Sequence, residues 1–200
     1  MRWIGVRSCL AAWFLGGCAS APPPDWQLNA RAALAAFEHH YLVGDTRLAE
    51  QEFARARAEI ARTGRGDLLA RAELVRCATR AASLEFDECP GFERLRADAG
   101  AEELGYAEYL AGRADRAATE DPLSRLVGAG VQFMSGKIAP AAIGAAVDTA
   151  SGQGWRRPLL AWLGVQAKRA QDAGDREAAT RIQRRIDTVL GTKIDRPRAQ

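Results

Sequence analysis

The chain has 200 residues, 48% of them apolar and 26% charged, with a formal net charge of +3. That is enough for one domain with a real core. The charges are interspersed along the chain, which excludes the concentrated basic face expected of a nucleic-acid binder. The first predicted element stands apart from the domain. Residues 1–8 carry Arg2 and Arg7 and no acid, and a short apolar run follows from Cys9 to Gly17. A basic stretch, a brief apolar run and then small residues form the pattern of a secretory signal over residues 1–17. The run is too short for a membrane span, which needs about 20 residues. Without Arg2 and Arg7 the basic and acidic residues nearly balance.

The signal ends in Leu15-Gly16-Gly17-Cys18. This resembles the lipobox of bacterial lipoproteins: a branched aliphatic residue, two small residues and an obligatory cysteine. The resemblance implies that the Cys18 thiol receives a diacylglycerol, that cleavage falls before Cys18, and that the new amino group is acylated, as with palmitate. Each buried methylene contributes roughly 0.8 kcal/mol, so two or three chains would hold the protein on a membrane. Residues 18–24 (Cys-Ala-Ser-Ala-Pro-Pro-Pro) then read as a lipidated tether, semi-rigid because its prolines fix φ. Ala19 after the cysteine, in place of an aspartate retention signal, implies the periplasmic face of an outer membrane.

Of four cysteines, Cys9 leaves with the signal and Cys18 carries lipid, so Cys77 and Cys89 remain. In an oxidising compartment such a pair is expected as a disulfide. The only histidines, His39 and His40, are adjacent. Neighbours on a helix point about 100° apart, so no shared metal is expected.

From Asp25 to residue 191 the pattern is helical, and the expected class is all-α. Asp25 is expected to cap a helix through Leu28, Leu34, Phe37 and Tyr41 that stops at Gly44. Asp45 caps the next, whose apolar stripe Ala49, Phe53, Ala56, Ile60 has the period of a half-buried helix. Gly64-Arg65-Gly66 breaks it, and Asp67 is expected to cap a third helix carrying Leu74 and Cys77. A loop at 86–91 and a short helix to Asp98 follow. Helices are then expected over 101–111, over 114–119, from Pro122 to Ser135 and over 140–150, where Pro140 sits in the first turn. The stretch from Ile138 to Val147 is apolar almost all round and reads as buried or as a groove cover. Trp155–Ala173 and Asp175–Leu190 close the body, and residues 192–200 read as a disordered tail.

Gly44-Asp45 with Ala49, Phe53 and Ala56 is similar to the second half of a tetratricopeptide repeat, in which small residues let two helices approach and the aromatic fills the gap. Gly112 and Ala117 recur 68 residues later, two repeats of 34, and Leu104-Gly105 falls where that family has its Leu-Gly pair. The resemblance implies antiparallel helix pairs in an irregular tetratricopeptide-like solenoid or a helical bundle.

No phosphate loop, metal motif or nucleophile–base pair stands out, and no cofactor is expected. Acids such as Glu102, Glu103, Glu108, Glu120 and Asp121 read as a solvated helical face. The expectation is a membrane-anchored interaction scaffold that catalyses nothing and binds an envelope protein. Its surface is placed on the first helix of each pair, around His39, His40, Glu103 and Tyr106, with Arg169 near the far end. The alternative is an envelope enzyme acting on the cell wall.

Overall fold

A computed structural model describes residues 22–191; the expected signal, Cys18, the first residues of the expected tether and the expected tail lie outside the described residues. Within them the chain is all-α. Its helices are α1 (Asp25–Val43), α2 (Thr46–Ala61), α3 (Gly66–Ala82), α4 (Pro90–Glu93), α5 (Ala101–Leu110), α6 (Pro122–Met134), α7 (Pro140–Gly152), α8 (Arg156–Asp172) and α9 (Arg176–Leu190), with a 3-10 turn at Arg96–Asp98.

The turns follow from local chemistry. Gly44 takes φ 97°, its N–H donates to Tyr41 O (3.1 Å), and the Asp45 N–H donates to His40 O (2.8 Å). These bonds satisfy the last carbonyls of α1 in a Schellman motif. The Asp45 carboxylate then accepts the Leu48 N–H at 3.1 Å and starts α2. Gly174 and Asp175 repeat the device between α8 and α9, with Asp175 accepting the Ala178 N–H at 2.8 Å.

Four expectations need correction. Asp25 is the first helical residue and Pro24 precedes it as cap. Asp67 lies inside the first turn of α3, its carboxylate held by Arg65 at 2.6 and 2.8 Å. Residues 114–119 are not helical. They are exposed, so a helix this short has no tertiary packing to offset its nucleation cost. Gly112 does end α5 in a left-handed turn (φ 72°), but no helix follows through Ala117, so the 34-residue register does not mark a repeated helix pair. Conversely, α3 ends in the same turn without a glycine. Leu84 takes φ 60°, with Leu84 N–H to Ala81 O and Glu85 N–H to Arg80 O, both 3.0 Å.

α1 and α2 form an antiparallel pair, as do α8 and α9, and α8 also packs back against α1. An open stack of repeats touches only its neighbours; here the contact of α8 with α1 also joins helices far apart in the chain. Arg157 makes this link. Its guanidinium donates to Tyr41 O (2.8 Å), Thr46 Oγ1 (2.6 Å) and Glu85 (3.1 Å), and lies 4.2 Å from the centre of the Tyr41 ring.

The main core surrounds Trp162, Leu126, Leu163 and Val147, joining α3, α5, α6, α7 and α8. A second core holds Phe37, Phe53 and Ile60 between α1 and α2, and a third holds Leu74, Phe92 and Ala107. The apolar stretch at 138–147 buries one side only, through Ile143, Ala146 and Val147.

Cys77 and Cys89 are bonded, with Cα atoms 5.8 Å apart and a sequence separation of 12. A closed loop of that size contributes about 3 kcal/mol in the chain-entropy model. Reduction is therefore expected to lower the thermal midpoint by roughly 6–12 °C. An unchanged midpoint in the presence of dithiothreitol would contradict it.

Candidate functional site

The most differentiated cleft, about 300 Å³, opens between α1, α3, α5, the segment after α5 and the start of α6. Its floor is apolar: Leu74, Val75 and Ala78 from α3, and Leu123 and Val127 from α6. Its rim is charged. Glu103 and Tyr106, three apart on α5, share one face because that spacing makes side chains helical neighbours. Asp121 caps α6 through the Ser124 N–H (2.8 Å), and Ser124 Oγ accepts the Thr119 N–H (3.0 Å), which ties the preceding segment to the cleft.

The two rim arginines are already engaged. Arg71 pairs with Glu102 (3.2 Å) and Glu103 (3.8 Å), while the Arg116 guanidinium lies 5.2 Å from the centre of the Tyr106 ring. Glu38 from α1 and Asp121 have no ion pair among the described residues. Burial, and then the charge of Asp121, holds the Glu38 carboxyl above its ordinary value. Burial also pushes the Tyr106 phenol up to about 12, with Tyr109 adding to the shift, so it stays a neutral donor.

This has a consequence for stability. A carboxyl whose folded pKa is raised favours the folded state when protonated, so its contribution is present at low pH and lost as pH rises through the raised value. Glu38→Gln stays neutral. It is expected to raise the thermal midpoint at about pH 7 and to leave it nearly unchanged at about pH 3.5. Equal shifts at both values would sink the assignment.

Of the predicted surface, Glu103 and Tyr106 do line the cleft. His39 and His40 do not, and His39 is exposed. Glu38 is the α1 residue that faces the cleft, because the next residue points about 100° away. Arg169 lines a separate depression of about 280 Å³ with Ile143, Gln166 and Ile182, between α7, α8 and α9. The five residues therefore do not line one cleft, because Arg169 sits with residues of α7, α8 and α9. Sequence reasoning missed Glu38, Arg71 and Arg116 as site residues. Asp121 had a usable signal, a cap just before Pro122.

Among the described residues no group of three or more His, Cys, Asp or Glu is placed to hold a metal ion, and no helix is long and apolar enough to cross a membrane. Comparison with protein-family models, curated proteins and solved structures gave no match.

Proposed function

We propose that this protein is a cell-envelope lipoprotein, anchored through lipid on Cys18, whose helical body holds another envelope protein in the α1–α3–α5–α6 cleft. The Leu15-Gly16-Gly17-Cys18 sequence supports the anchor, and Ala19 supports the outer membrane as its location. The observation that carries the binding reading is the cleft itself, with an apolar floor and a rim on which Glu38 and Asp121 make no ion pair among the described residues. Such a surface receives a partner side chain that is apolar along its stem and polar at its tip.

The anchor is tested by mass spectrometry of the native protein, where an acylated N-terminal Cys18 is expected; an unlipidated chain that starts elsewhere would refute it. For the cleft, a photo-crosslinking residue in place of Glu103 should capture one envelope protein. Glu38→Lys should abolish that capture while the helical circular dichroism stays unchanged. Capture that survives Glu38→Lys would remove the cleft from the binding reading.

One observation favours a second reading. Glu38, raised by burial, faces the same cleft as the exposed Asp121. Two carboxyls in unlike environments suit the acid and base of glycoside cleavage. In that case the mature protein releases soluble fragments from purified cell wall and Glu38→Gln stops the release.

A further inference from the structure

A larger groove, about 650 Å³, runs beside the disulfide. Leu74, Phe92 and Leu110 line it together with Cys77 and Cys89, so part of its wall is apolar and includes the sulfur bridge. Phe86 and Met134, 36% and 39% exposed, also line it. They are two of the four large apolar side chains left exposed among the described residues. Scattered exposed apolar residues need no explanation; here two of them stand on one concave, partly apolar surface.

The acidic loop that carries Phe86 is held in place. Leu84 (φ 60°) and Cys89 (φ 51°) bracket it in left-handed conformations, and the Cys89 N–H donates to Asp87 at 2.8 Å. The disulfide fastens its end to α3. Phe86 is thus displayed by a closed loop, and a preorganised contact loses little conformational freedom on binding.

The charge around the groove has one sign to offer. Glu85, Asp87, Glu88 and Glu93 line it, against Arg96 and Arg113. Both arginines are already closed on carboxylates by paired bonds: Arg96 on Glu93 (2.8 and 2.9 Å) and Arg113 on Glu108 (2.6 and 3.0 Å). Asp87 is held by Arg80 (2.8 Å) and Glu85 by Arg157 (3.1 Å). Glu88 has no ion pair among the described residues, so the unmet charge beside Phe86 is negative. An acidic ligand would find its potential cations spent, whereas a basic one finds a free carboxylate next to the apolar wall.

We propose that this groove is a second docking site, for a partner segment whose bulky aliphatic or aromatic side chain enters between Phe86 and Met134 and is flanked by lysine or arginine. Aromatic and methionine side chains at the mouth suit such an anchor, because the flexible thioether adapts to its shape. The groove shares only the buried Leu74 with the Glu38 cleft, and its mouth residues Phe86 and Met134 do not line that cleft, so one molecule can hold two partners.

The test uses the mature chain with its disulfide intact, panned against a random 12-residue peptide library. Enriched peptides should combine a bulky apolar residue with neighbouring lysine or arginine. Phe86→Ser with Met134→Gln should weaken them about tenfold or more, as loss of central apolar anchors does. Glu88→Lys should weaken them less and remove part of their salt dependence. All three substituted residues are exposed, so circular dichroism is expected to match the parent. No enrichment, enrichment of acidic peptides, or binding that survives the Phe86/Met134 variant would overturn the proposal. So would peptides displaced only by Glu38→Lys, which would put them in the cleft.

Discussion

Replacing Gly130 with alanine is expected to destabilise the domain by about 1–2 kcal/mol, although alanine is the better helix former. A Cβ at this position would lie 2.3 Å from Ala81 O and 3.0 Å from Ala81 C. The obstacle is the backbone of α3, which cannot rotate away as a side chain would. Overpacking a core typically costs about 1–3 kcal/mol, while the gain in helix propensity is roughly 1 kcal/mol. Strain wins, because relieving it means moving α6 away from α3 at the main core. The control is Gly164 in α8, where an added Cβ meets nothing within 4 Å. Gly164→Ala should stabilise by about 0.5–1 kcal/mol. Urea titrations of both variants compare the effects directly. If Gly130→Ala were as stable as Gly164→Ala, the close approach of α3 and α6 would be wrong.

The contrast between these two glycines shows what the sequence could carry. Both stand inside apolar helical stretches, and nothing local separates one that touches a neighbouring backbone from one that faces open space. Signals written within a few residues were legible. Asp45 and Asp175 cap because each follows a glycine and precedes an apolar stripe, and the pairing of Cys77 with Cys89 followed from there being no other cysteines left in the domain. Short-range propensity misled at 114–119, where residues that tolerate a helix stay exposed and gain no packing from one. It was silent at Leu84, where packing of the side chain against the core accompanies a positive φ that sequence rules reserve for glycine.

The candidate site was half legible for the same reason. Glu103 and Tyr106 share a face of α5 by helical spacing alone. Choosing Glu38 over His39 needed the rotation of α1 about its axis, which depends on how Phe37 and Tyr41 pack. Arg157 was not visible at all, because its contacts lie 116 residues away at Tyr41 and 72 residues away at Glu85.

Trp162→Ala should produce the largest loss of any single substitution in the main core. The side chain is fully buried, its ring meets Phe133 edge-on at 5.8 Å, and its indole N–H donates to Ala82 O at 3.1 Å. Ala82 is the last residue of α3, so its carbonyl has no partner within the helix and the indole supplies one from α8. Removing the ring leaves a cavity, at about 3–5 kcal/mol for a buried aromatic. It also strands a buried carbonyl, at about 1–3 kcal/mol if no water reaches it. Against a total stability of about 5–15 kcal/mol, the variant should be partly unfolded near 37 °C. Trp162→Phe separates the two contributions, since it keeps most of the apolar volume and loses the donor. It is expected to cost about 1–3 kcal/mol, less than half the loss in Trp162→Ala. Equal stability of the Trp162→Phe variant and the parent in urea would show that the bond from α8 to the end of α3 contributes nothing net, and that apolar volume alone holds the two helices together.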